Sequence, residues 1–161
     1  MPDKERKNSL INRITDWLYQ GDLYALTDEE WQQHGIGAIL CVANTDESPA
    51  RSTVRYLRLP FNDYGEELTP GDLTSAAAFA EAFMDRRILV HCIAGVNRSV
   101  VMSGYLLAHI EGIDFRKAID IVCAQNPESG PFPELIKKVE GLQEAHLGSP
   151  TRASEYDRRR C

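Results

Sequence analysis

Residues 88–112, ILVHCIAGVNRSVVMSGYLLAHIEG, constrain the fold more than any other stretch. Ile88-Leu89-Val90 runs apolar without alternation into His91-Cys92, the pattern of a central strand covered on both faces. Residues 99–111 are apolar nearly all round, the pattern of a buried helix, and Gly112 is placed to end it. A strand and a helix that are both fully covered require layers on each side of a sheet. Between them lie five small or uncharged residues, Ile93 to Asn97, and then Arg98-Ser99. An arginine just ahead of an apolar helix needs a reason other than packing.

The rest of the chain alternates strands and helices in the same way. "ITDWLYQGDLYAL" suggests an opening hairpin with a Gly21-Asp22 turn. Thr27-Asp28-Glu29-Glu30 has capping-box form and predicts a helix over about 28–34, stopped by Gly35. "AILCVAN" (38–44) and "VRYLRLPF" (54–61) read as strands, with a loop over 45–53. Leu73, Ala76, Ala77, Ala80, Phe83 and Met84 recur at helical spacing after Asp72. Asp114 opens a helix to about Gln125, and a last helix runs from about Pro133 to Leu147. The expectation is a single α/β domain over 12–146, with helices on both faces of the sheet. A flexible segment over 1–11 precedes it, and a polar, disordered tail over 147–161 follows it.

Charge and cysteine usage narrow the function. The net charge of −6 speaks against a broad nucleic-acid or anionic-membrane surface, and no apolar stretch reaches the length of a membrane span. Cys41, Cys92, Cys123 and Cys161 form no Cys-x-x-Cys pair and no cysteine–histidine cluster at metal spacing. Free thiols in a reducing compartment are expected, placing the chain in the cytoplasm or the nucleus.

The loop after the central strand now acquires a chemical reading. Its backbone N–H groups and those of the following helix can converge on one point, which the helix dipole makes favourable for an anion. Gly95 permits the tight turn. Arg98 adds a planar fork matched to phosphate oxygens. Cys92 lies at the floor, where the same field favours the nucleophilic thiolate. Ser99 can hydrogen-bond the sulfur, and His91 is read as an anchor for the loop backbone. A leaving alkoxide or phenoxide also needs a proton. Asp63, in "LPFNDYGEEL", is the best donor, since Asp72 and Asp85 are explained by a helix start and a helix end.

"HCIAGVNRS" resembles the His-Cys-x5-Arg-Ser/Thr signature of the cysteine-dependent protein tyrosine phosphatases. "LYQGDLYAL", "GIGAILCVAN" and "LRLPFND" are similar to the small dual-specificity branch. The resemblance implies a central mixed sheet of about five strands and no metal or organic cofactor. It implies Cys92 as nucleophile and Ile93, Ala94, Gly95, Val96, Asn97 and Arg98 as the phosphate-binding loop. Asp63 is implied as general acid and then base, and Ser99 as an aid to thiolate release. Cys41, on a strand expected beside the catalytic one, reads either as a core cysteine or as a redox partner for Cys92.

The implied reaction is phosphomonoester hydrolysis on a phosphoprotein, through a cysteinyl phosphate. The uncharged loop residues Ile93, Ala94, Val96 and Asn97 weigh against inositol phosphates. The acidic chain weighs against an RNA 5′-phosphate. A non-catalytic phosphate-binding pseudophosphatase would be expected to lack the cysteine, the arginine or the acid, and all three are present.

Overall fold

The computed structural model describes residues 10–49 and 54–147. Most of the 1–11 and 147–161 segments, with Cys161 and the arginine-rich tail, therefore lies outside the described residues. At their inner edges the two segments carry regular structure, because Ile11 already pairs in a strand and Leu147 ends a helix.

Five strands form one sheet: β1 (Ile11–Arg13), β2 (Leu18–Gly21), β3 (Ala38–Cys41), β4 (Arg55–Arg58) and β5 (Ile88–His91), in the order β1-β2-β5-β3-β4. β1 is antiparallel to β2, and all other pairs are parallel, so the sheet is mixed. β5 occupies the centre, with Val90 opposite Gln20 on one side and Leu40 on the other. Its side chains alternate as the pleat requires. Ile88 and Val90 join the larger apolar cluster, while Leu89 joins a smaller one with Tyr19, Leu26, Trp31 and Ile39.

Among the described residues, six α-helices cover the two faces. α1 (Leu23–Thr27) and α2 (Glu30–Gln33) supply the smaller cluster. α3 (Pro70–Phe83), α4 (Arg98–Glu111), α5 (Phe115–Gln125) and α6 (Pro133–Leu147) supply the larger. Every α4 residue from Ser99 to Ala108 is buried, as its all-round apolar pattern demands. Gly112 ends α4 in the left-handed region at φ 71°, and Asp114 caps α5 by accepting from the Lys117 N–H.

Three local expectations are corrected. The opening hairpin turns over residues 14–17, where Thr15 Oγ1 accepts from the N–H groups of Trp17 and Leu18; Gly21-Asp22 instead ends β2. The capping box at Thr27 does not form. Asp22 already caps a helix upstream by accepting from Ala25 N–H, which makes Thr27 the last residue of α1. Glu29 then takes the left-handed region, φ 58°, and α2 starts without a side-chain cap. The helix after the fourth strand begins before Asp72, because Thr69 and Asp72 form a reciprocal capping box with Pro70 in the first turn.

Candidate active site

The loop from Cys92 to Arg98 leaves the carboxyl end of β5, and its carbonyls are held from outside. The Cys92 carbonyl meets His91 Nδ1 at 3.1 Å, and the Ile93 carbonyl accepts from Leu23 N–H at 3.0 Å. The Gly95 carbonyl accepts from Gln20 Nε2 at 2.8 Å and Asn126 Nδ2 at 3.0 Å. The Val96 carbonyl accepts from Gly130 N–H at 2.7 Å. Across a planar trans peptide the C=O and the following N–H point oppositely. Holding these carbonyls outward turns the N–H groups of Ile93, Ala94, Val96 and Asn97 to the other side. The result is an anion cradle whose orientation is fixed by β2, α1 and the loop after α5.

Gly95 is required on two counts. Its φ is 75°, and a Cβ there would lie 2.8 Å from Leu10 Cδ2 and 2.9 Å from Asp22 Cβ. Asp22, whose carboxyl is raised above its ordinary value mainly by burial, thus packs directly under the loop.

Cys92 is 2% exposed, and its sulfur accepts from Gly95 N–H at 3.3 Å. Ser99 Oγ lies 3.1 Å from the sulfur and 3.2 Å from the Gly21 carbonyl, while accepting from Gln20 Nε2 at 2.8 Å. The Ser99 hydroxyl has one hydrogen and two acceptors to choose between. With a thiol at Cys92, the S–H can donate to Ser99 and the hydroxyl to Gly21. With a thiolate, the hydroxyl hydrogen belongs on sulfur, and the Gly21 carbonyl keeps Cys92 N–H at 3.3 Å as its donor.

His91 is fully buried, and burial pushes its imidazole down to about 4. It is therefore neutral at neutral pH. Because a carbonyl only accepts, Nδ1 carries the proton toward Cys92 O, and Nε2 has no hydrogen-bond partner among the described residues. The ring contacts the loop backbone through that one nitrogen.

Asp63 and Arg98 meet over the cradle. Arg98 Nη1 donates to the Phe61 carbonyl at 3.1 Å, and Nε lies 3.1 Å from Asp63 Oδ1. The Nε–H is not aimed along that line, so the contact is ionic rather than a formed hydrogen bond. The loop that carries Asp63 is braced, with Asn62 Oδ1 accepting from the N–H groups of Tyr64 and Glu66 and Asn62 N–H donating to Glu67.

Cys41 is fully buried on β3, in register with His91. Its thiol donates to the Ala43 carbonyl at 3.6 Å, and both Cys41 and Cys92 are free. No interaction found for the described residues joins the two thiols.

Residues 18–144 match the sequence description of the dual specificity phosphatase catalytic domain. The chain belongs to that family. Mouse dual specificity protein phosphatase 8 is 26% identical over 156 residues, covering 87% of this chain and 24% of its own length. Human dual specificity protein phosphatase 15 is 25% identical over 150 residues, covering 89% of this chain and 50% of its own. The chain thus spans about a quarter of the first relative and half of the second. Human DUSP28 shares the fold, with a TM-score of 0.76 at 24% identity over 85% of this chain and 95% of its own.

Within this dual specificity phosphatase domain, Gln20, Asn126 and Gly130 hold the carbonyls of the Cys92–Arg98 loop, yet none stood out in the sequence. Gln20 and Asn126 are fully buried, and Asn126 Nδ2 also donates to Gln20 Oε1 at 3.0 Å. The available signal was a lone glutamine inside the apolar strand "WLYQG" and an Asn-Pro directly after a helix.

Proposed function

We propose that this domain hydrolyses phosphomonoesters in proteins, phosphotyrosine above all and also phosphoserine and phosphothreonine, through a cysteinyl phosphate. The observation that carries this reading is one loop that begins at the Cys92 sulfur, bonded to Gly95 N–H and beside Ser99, and ends at Arg98 in contact with Asp63.

The phosphate dianion sits on the loop N–H groups, and Arg98 turns its fork to two phosphate oxygens. The Cys92 thiolate attacks phosphorus in line with the ester oxygen. As the S–P bond forms the P–O bond breaks, and protonated Asp63 gives its proton to the leaving oxygen. Asp63, now a carboxylate, takes a proton from water as that water attacks phosphorus. The P–S bond breaks, inorganic phosphate leaves, and the thiolate and the protonated acid are restored. Ser99 donates its hydrogen to the departing sulfur in this second step.

The substrate assignment rests on the loop side chains. Ile93, Ala94, Val96 and Asn97 supply no cation for the further phosphates of an inositide or a triphosphate end. The test is phosphate release from a phosphotyrosine peptide. Cys92→Ser should abolish turnover, and Asp63→Asn should lower it by about 10²–10⁴-fold. Folded wild-type protein that binds the peptide without releasing phosphate would instead make this a binding module. Release from a phosphoinositide but not from the peptide would overturn the protein substrate.

A further inference from the structure

Asn97 stands at the N-cap of α4, where an asparagine ordinarily turns its side-chain oxygen onto the first free N–H groups of its own helix. Here it makes no such bond. Its Oδ1 accepts from Phe132 N–H at 2.6 Å, and its Nδ2 donates to Asp63 twice, to the backbone carbonyl at 3.0 Å and to Oδ1 at 3.1 Å. The orientation of the amide is settled by this set. A peptide N–H only donates, so the amide oxygen faces Phe132 and the NH₂ faces the two Asp63 oxygens.

Asn97 is 3% exposed, so water does not replace these partners. Two consequences follow from one side chain. The first N–H groups of α4 are left uncapped for an anion, and the Asp63 loop is pinned to the phosphate loop. Both contacts to the Asp63 carboxyl, from Asn97 Nδ2 and Arg98 Nε, fall on Oδ1. No hydrogen bond to Oδ2 is found among the described residues, which leaves Oδ2 as the oxygen to carry the transferable proton.

We propose that Asn97 is a positioning residue for the general acid, holding Asp63 by Oδ1 so that Oδ2 delivers its proton to the leaving oxygen. This rests on the hydrolytic reading above and extends it from the cradle backbone to a side chain. When phosphate draws the Arg98 fork away from Asp63, Asn97 is what still holds the acid in place.

The test compares leaving groups. Phenyl phosphate needs the proton, whereas dinitrophenyl phosphate departs nearly without it. Asn97→Ala should lower kcat/KM, which reports only the step that expels the leaving group, by about 10–100-fold on phenyl phosphate, a part of what loss of the acid costs, and by less than about 3-fold on dinitrophenyl phosphate. In an Asp63→Asn background the same substitution should change neither rate by more than about 2-fold, because there is no acid left to place. Asn97→Ser, which keeps a polar side chain too short to span both loops, should behave like Asn97→Ala and serves if that variant does not fold. Equal losses on the two esters, or full additivity with Asp63→Asn, would overturn the proposal while leaving the hydrolytic reading intact. No turnover by wild type on either ester would sink that reading itself, and this inference with it.

Discussion

A single hydrogen at Ser99 has two acceptors, the Cys92 sulfur and the Gly21 carbonyl, and in the proposed reaction its placement sets how easily the thiolate departs. A hydrogen bond to a charged group contributes about 1.5–3 kcal/mol. Ser99→Ala should therefore slow breakdown of the cysteinyl phosphate by about 10–100-fold while sparing its formation. Rapid-mixing kinetics with p-nitrophenyl phosphate should then show a burst approaching one nitrophenol per protein, followed by slow turnover. A slow first turnover with no burst would place Ser99 in the attack step instead. Cys92, Arg98 and Ser99 were legible at this scale because they sit in one short string whose local geometry implies its chemistry. Asp63 was legible by elimination among the aspartates. Gln20 and Asn126 were not, since they reach the Gly95 carbonyl from 75 and 31 residues away in the chain and only the topology brings them together.

Among the helices, the contact of α4 with α5 is the closest test of packing. A Cβ on Gly104 would lie 2.6 Å from Ile119 Cγ1 and 3.3 Å from Ile119 N and Cα. Gly141, on α6, has nothing within 4 Å of that position. Alanine raises helix propensity at both sites by about 1 kcal/mol. At Gly104 the clash, costing about 1–3 kcal/mol, should win, so Gly104→Ala should lower the urea midpoint and Gly141→Ala should raise it. Midpoints moving together would show that α5 yields without cost. The helices at this scale were readable where period and cap agreed, as in α4 with Gly112 and α5 with Asp114. They were misread where two caps competed. Asp22 and Thr27 are both good N-cap residues, and which one acts depends on where β2 ends, which its partner β5 fixes rather than any local signal.

Whole-molecule stability should carry the signature of His91, whose ring is neutral in the fold and pushed down to about 4 from an ordinary 6.5. As pH falls below 6.5 the unfolded ring takes a proton that the folded ring refuses. Stability should therefore drop between those two values and level off beneath them, by on the order of 3 kcal/mol in all. His91→Asn, whose amide nitrogen falls near the place of Nδ1, should flatten this stretch in urea titrations at successive pH values; equal slopes would assign the acid sensitivity to other groups. The order of the sheet has a consequence of a different kind. β2 and β3 do not pair with each other, and each waits for β5, the last strand among the described residues and the one that leads into Cys92. As the chain emerges from the ribosome, both strands keep an open edge through residue 87, and the slot between them is filled only when β5 arrives. The loop carbonyls find their last donors later still, at Asn126 and Gly130. The loop that follows Cys92 thus completes its outer contacts only once residue 130 has been made, and a nascent chain stalled before that point carries the loop without them.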